Sequence, residues 1–239
     1  MKAVFVSSKY FIMDEPKLLI EQYPNTEALT NICKTFENQA ITLTATFMGR
    51  AIPITNCNAM GDILENIFYP SIKEVLGDFE EGPAQASPDY YGMEKNFEFE
   101  QKVFKNKPGF DIGNFASYID ILSAEGGVYK KIFRTKYLVF EYDIIDTAIK
   151  IIKFHYLSVY KLVGYSSKTA PITMQIKRNV WYNIRPDNDS RWYAEEKTPP
   201  LFIDKIIECI QKCPNIENKS TKIASITKQF NALKSKYKF

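Results

Sequence analysis

A mixed α/β fold, with a central β-sheet flanked by helices, is what this 239-residue chain predicts. Three observations point there. Segments with apolar residues at three- and four-residue spacing alternate with short β-branched and aromatic runs that read as strands. Such interleaving builds a sheet covered by helices. The composition, 45% hydrophobic and 25% charged, supplies both a core and a solvated surface. No repeat or low-complexity linker divides the chain, so one domain over 1–239 is expected, with its core at about 60–192 and closing helices at 199–237.

Up to residue 58 the signals are weak: 26–36 reads as a helix, and 40–47 alternates like a strand. From 60 to 76, Ile63, Leu64, Ile67, Phe68, Ile72, Val75 and Leu76 recur at helical spacing. Gly77 is a stop signal, and Pro70 is expected to kink the helix or begin a second short one. A turn-rich connection over 80–88 leads to a strand at 97–104 and a basic loop at 105–109. An amphipathic helix follows at 112–122, then a turn at Glu125-Gly126-Gly127. Tyr137, Leu138, Val139, Phe140, Tyr142 and Ile144 mark 136–145 as a strand. Residues 148–163 are β-branched at first and helix-like later, and stay open between the two. A strand at 171–177 runs into an aromatic and basic segment, 178–192. Helix 199–213 carries prolines in its first turn, where a fixed φ and a missing N–H cost nothing. A basic amphipathic helix at 220–237 closes the chain.

The net charge of +3, from 31 basic and 28 acidic residues, permits an acidic partner without demanding one. Distribution must carry that argument. Of Cys33, Cys57, Cys209 and Cys213, only the last two are close, at i,i+4; there is no CxxC pair. The single histidine, His155, cannot complete a zinc set, so no zinc centre is expected. Reduced, buried thiols suit a cytoplasmic protein. The first residues, MKAVFVSSKYFIMDEPK, lack the apolar core and cleavage site of a secretory signal. No stretch approaches the ~20 apolar residues of a membrane span. His155 has no nearby Ser or Cys to form a triad and is read as structural. Gly126-Gly127 is a turn rather than a phosphate loop, so no nucleotide cofactor is expected.

One constellation carries chemistry. Ser87-Pro88-Asp89 is followed by Asn96-Phe97-Glu98-Phe99-Glu100-Gln101-Lys102. Strand alternation puts Glu98, Glu100 and Lys102 on one face, while Phe97 and Phe99 anchor the other. Two strand carboxylates and Asp89 form an oxygen-rich set for a hard cation such as Mg²⁺. Such an ion activates water and polarises a phosphate. The plainer alternative makes Asp89 a turn residue and Glu98/Glu100 the solvated face of an edge strand.

These residues resemble the PD-(D/E)XK nuclease motif: Pro-Asp, a variable gap, then Asp/Glu-x-Lys inside a strand. Two registers are open. Glu98-Phe99-Glu100 keeps the apolar–acid rhythm but puts glutamate where lysine is usual, a variant that type II restriction endonucleases also use. Glu100-Gln101-Lys102 restores the lysine but turns polar Gln101 inward, which a core strand resists; the first is preferred on that ground. Gly61-Asp62-Ile63-Leu64-Glu65 resembles the family's N-terminal helix, which lends an acid, here Glu65. Residues 172–177 running into Trp181-Tyr182-Asn183-Ile184-Arg185-Pro186 resemble a C-terminal segment of several such enzymes. The resemblance covers about 60–192 in scattered short motifs. It implies a restriction-endonuclease-like fold and a type II enzyme hydrolysing double-stranded DNA at a short specific sequence, with Mg²⁺ as cofactor. It also implies a homodimer matched to a palindromic target. The implied catalytic residues are Asp89, Glu98, Glu100 and Lys102, with Asp89, Glu98, Glu100 and Glu65 as metal ligands. A non-catalytic DNA-binding module and a repair or structure-specific nuclease of the same fold are the alternatives.

DNA contacts are expected from Lys105 and Lys107, from Lys130, Lys131 and Arg134, and from Lys177, Arg178, Arg185 and Arg191. Lysines suit phosphates, whereas Asn183, Arg185 and Arg191 suit base edges. Trp181 and Trp192 are read as core or interface aromatics.

Overall fold

The computed structural model describes residues 23–54, 60–77, 79–82, 87–92, 96–165 and 169–237. Helix α1 (Thr26–Thr35) leads to strand β1 (Ala40–Ile41) and a hairpin of β2 (Thr44–Phe47) and β3 (Arg50–Pro53). Helix α2 (Met60–Leu76) stops at Gly77, whose φ of +67° lies in the left-handed region that glycine adopts most readily. It runs through Pro70 as one element, so no second helix begins there. Strands β4 (Glu80–Glu81), β5 (Tyr90–Gly92) and β6 (Phe97–Phe104) follow. Next come β7 (Gly113–Asn114), α3 (Phe115–Ser123), α4 (Gly127–Tyr129) and a π-helical turn over Lys130–Arg134. Long strands β8 (Thr135–Ile145) and β9 (Ala148–Leu157) lead to the short α5 (Val159–Leu162). Strands β10 (Met174–Lys177) and β11 (Val180–Ile184) precede α6 (Pro199–Lys212) and α7 (Lys219–Lys236).

The main sheet has the order β1-β9-β8-β6-β5-β4; β6 and β8 are parallel and the other neighbours antiparallel. Alternation along β8 divides the core between the sheet's two faces. Tyr137 and Val139 join Phe115, Ile119, Phe202, Ile206 and Phe230 of α3, α6 and α7. Leu138 and Phe140 join Leu29, Leu64, Phe68 and Ile72 of α1 and α2. Gly127 is held so closely that a Cβ would lie 1.8 Å from the Ile121 carbonyl oxygen, which lets α4 tuck under α3.

Three expectations change in detail. The run 40–47 is two strands: β1 extends the main sheet, while β2 pairs only with β3 around Met48 and Gly49, both at positive φ. Alternation predicts extended chain but does not name its pairing partner. Residues 148–163 resolve as strand and then helix. The helix expected from 112 begins after Asn114, whose side chain accepts the Ser117 N–H at 3.1 Å, while Gly113 and Asn114 pair with β11.

Cys33, Cys209 and Cys213 are free and buried; Cys57 lies outside the described residues. No described helix is long and apolar enough to cross a membrane. Trp181 and Trp192 sit in the core. His155 is buried too, edge-on to Trp192, with its Nδ1 2.8 Å from the Tyr193 hydroxyl. Burial, helped by Lys153, holds its pKa down at about 4. A depressed histidine pKa means that the unfolded chain takes up a proton before the folded one does. Stability should therefore fall as pH drops from about 6.5 to about 4. Thermal midpoints of wild type should drop more steeply over that window than those of His155→Gln; parallel curves would assign the acid loss to other groups.

Candidate active site

The acidic strand is not an edge. β6 lies between β5 and β8, and Glu98 and Glu100 are 1% and 4% exposed, so neither belongs to a solvated surface. The antiparallel register Tyr90↔Phe99 and Tyr91↔Glu98 brings the residue before β5, Asp89, alongside Glu100 and Gln101. The Gln101 N–H donates to Asp89 Oδ2 at 2.5 Å. Lys102 Nζ donates to the same oxygen at 3.3 Å and to Glu100 Oε2 at 3.1 Å. The Ser87 hydroxyl donates to the other oxygen, Glu100 Oε1. Asp89, Glu100 and Lys102 thus converge.

Gln101 does turn inward and is buried. The Tyr90 hydroxyl donates to its Oε1 at 3.0 Å, which satisfies one end of the amide, while its Nε2 is buried without a hydrogen-bond partner among the described residues. Glu98 has a different environment. Lys130 Nζ lies 2.6 Å from its Oε1, and Lys131 Nζ 3.1 Å from its Oε2, which also accepts from the Thr135 hydroxyl at 2.9 Å. Burial alone would raise the Glu98 pKa, but Lys131 and Lys130 outweigh it and hold the carboxyl below its ordinary value.

Electrostatics tie the first cluster together. Burial pushes the Asp89 pKa up, and Glu100 adds to this; Lys102 and the Gln101 N–H pull the other way without cancelling the rise. Burial tends to lower the Lys102 pKa, but Glu100 and Asp89 more than offset it and hold the ammonium above its usual range. Glu65, half-buried on α2, is raised to about 7 by burial and then by Asp89, against the pull of Lys102. It therefore stands within electrostatic reach of both. Among the described residues no three His, Cys, Asp or Glu side chains gather closely enough to form a ready-made metal cage.

A family model for the NgoBV restriction endonuclease matches residues 28–238, most of the chain. The chain belongs to the NgoBV restriction endonuclease family. It is a type II site-specific deoxyribonuclease. Its fold is that of a restriction endonuclease: the NlaIV restriction endonuclease superposes with a TM-score of 0.71 at 19% identity, over 86% of this chain and 87% of that one. No curated relative matches the sequence.

In this endonuclease the donor set suits a hard cation. Mg²⁺ commonly takes one or two carboxylates and completes its octahedron with water and substrate phosphate, so a full protein cage is not required. Asp89 and Glu100 could offer two such carboxylates, and the Lys102 ammonium lies between them as a positive charge.

The basic residues divide by environment. Lys107, Lys177 and Arg178 are exposed, the last at the tight β10–β11 turn with φ +50°. Lys105 pairs with Asp143 at 3.2 Å, Arg185 with Asp111 at 2.9 Å and Arg191 with Asp187 at 3.6 Å. The Asn183 amide donates to Gln175 at 3.4 Å. Arg134 lies over the Phe97 and Tyr129 rings and donates to the Tyr129 hydroxyl at 2.8 Å. Lys131 is buried against Glu98, so it is not a solvated loop lysine. Sequence reasoning assigned no role to Ser87, Tyr90 or Thr135. Ser87 stood next to the Pro-Asp pair and was open to notice; Thr135 carried no signal of its own.

Proposed function

We propose that the endonuclease hydrolyses double-stranded DNA at a short specific sequence in a Mg²⁺-dependent reaction, using Asp89, Glu100 and Lys102 in the Glu100-Gln101-Lys102 register. The observation that carries this is the single ammonium of Lys102 shared by the Asp89 and Glu100 carboxylates. These two carboxylates would hold the cation, with Glu65 assisting. When bound, Mg²⁺ polarises the phosphate and lowers the pKa of a coordinated water. The protein's own groups do the rest. Gln101 fixes Asp89 through its backbone N–H, so the carboxylate is oriented before substrate arrives. Lys102 stays protonated and donates toward the phosphate or the attacking water, stabilising charge that gathers in the transition state. Glu65, raised to about 7 while no cation is present, would ionise readily as the cation binds and so join Asp89 and Glu100.

The cytoplasmic enzyme would act as a homodimer, setting two sites about a two-fold axis to cut both strands of a palindrome. Exposed Lys107, Lys177 and Arg178 would meet backbone phosphates, with Asn183, Arg185 and Arg191 reading bases once their present partners are exchanged for DNA. A DNA methyltransferase in the same host would protect its genome. The test is digestion of a fully sequenced plasmid with Mg²⁺, followed by mapping of the ends. Discrete fragments sharing one sequence at their ends, absent with EDTA, are expected. A smear, or ends tied to DNA structure rather than sequence, would favour a structure-specific nuclease.

A further inference from the structure

We infer that Lys131 and Ser87 form a positioning relay that sets the Glu100 carboxylate, and that Glu98 is the anchor of this relay rather than a cation ligand. The inference rests on the reading that Glu100 holds the cation. Lys131 Nζ lies 3.1 Å from Glu98 Oε2 and 3.5 Å from Ser87 Oγ, whose hydroxyl in turn donates to Glu100 Oε1. The direction of this chain follows from donor counts. An ammonium has three protons and accepts nothing; a hydroxyl has one proton and two lone pairs. Facing Lys131, Ser87 can only accept, so its single proton is committed to Glu100.

Glu100 is therefore gripped at both oxygens by different donors, Ser87 at Oε1 and Lys102 at Oε2. A cation that displaces the lysine finds a carboxylate whose plane is already set. Glu98 is poorly suited to share that work, because two ammonium groups, Lys130 on Oε1 and Lys131 on Oε2, already outweigh its single negative charge. Those lysines are consecutive, and consecutive residues of a helix do not ordinarily face one point. Here they belong to the π-helical turn Lys130–Arg134, a wider winding often met at functional sites, and both reach one carboxylate. The parallel pairing of Glu98 with Thr135 places the end of that turn beside the acid.

Outer groups that orient a ligand typically change metal affinity by about 10- to 100-fold when removed. The test is binding of Mn²⁺ alone, followed by electron paramagnetic resonance, on full-length protein without DNA. Ser87→Ala should weaken Mn²⁺ binding about 10-fold in a protein that still unfolds cooperatively, and Ser87→Thr should restore it. Lys131→Met should show a similar loss and Lys131→Arg a smaller one. Because Lys131 acts through Ser87, the double variant should bind no more weakly than the poorer single variant, whereas independent sites would add. Wild-type Mn²⁺ affinity in Ser87→Ala, or additive losses in the double variant, would overturn the relay. Asp89→Asn and Glu100→Gln serve as the reference. If they lose Mn²⁺ while Ser87→Ala keeps it, the relay alone fails; if they too bind as wild type, the cation site itself is misplaced.

Discussion

Asp89→Asn and Glu100→Gln should each leave DNA binding intact and slow cleavage by at least ~100-fold, about 2.7 kcal/mol in the barrier. Both substitutions keep size, remove one negative charge and turn one acceptor oxygen into a donor amide. Both sit where Lys102 is shared, 3.3 Å from Asp89 and 3.1 Å from Glu100. In the resting protein one ammonium is shared by two carboxylates and offsets only one of them; with either replaced, no net negative charge would be left to hold a divalent cation against water. Binding should survive because DNA affinity comes chiefly from phosphate contacts by surface cations, not from acidic groups that repel the backbone. The measurement is single-turnover cleavage at saturating enzyme, with a gel-shift titration in Ca²⁺ or EDTA for affinity. Cutting within a few-fold of wild type by either variant would remove that residue from the mechanism. A parallel loss of affinity and rate would instead indicate damage to the fold.

The sequence made parts of this site legible and concealed others, for identifiable reasons. Period-two alternation over 97–104 correctly put Glu98, Glu100 and Lys102 on one face and Phe97 and Phe99 in the opposite core. Helix α2 was readable to its last residue because its apolar spacing ends at a glycine in the left-handed region. Alternation could not separate the roles of Glu98 and Glu100, because it says which face a side chain occupies but not what lies across from it. That depends on β5, which brings Asp89 and Ser87 to Glu100, and on the turn before β8, which brings Lys130 and Lys131 to Glu98. In the sequence those lysines look like any solvated cluster after a diglycine. The objection to an inward Gln101 is that a core strand resists a polar side chain, and it weakens in part once Tyr90, from the neighbouring strand, supplies a hydroxyl to its Oε1. Helix α2 packs against β6 and brings Glu65 within electrostatic reach of Asp89 and Lys102, a long-range contact that local pattern cannot foresee.

Glu98→Ala is expected to cost about 3–5 kcal/mol of folding stability, the usual result of leaving a buried charge without its partner. The decisive partner is Lys131, whose side chain is 7% exposed beside a Glu98 that is 2% exposed. Lys130, half in solvent at 49%, recovers its hydration when the carboxylate goes and contributes little. Glu208 provides a control with the same number of lysines and a different burial: Lys205 and Lys212 flank it at 2.8 and 2.6 Å, but its own side chain is 34% exposed. Glu208→Ala should barely move the urea midpoint, although the pairing looks equally good by distance. Replacing both members of the buried pair, as Glu98→Leu with Lys131→Met, should recover most of the stability lost by Glu98→Ala, because no charge is then stranded, while Mn²⁺ binding stays weak for want of the relay. The acid dependence supplies a sign test. The Glu98 pKa is held below its ordinary value of 4.5, so its contribution is fully present above that pH and is lost as the pH falls through the folded-state value. Wild type and Glu98→Ala should therefore differ most at neutral pH and approach one another on acidification below 4.5. A constant gap across that range would mean that Glu98 acts through packing rather than through its charge.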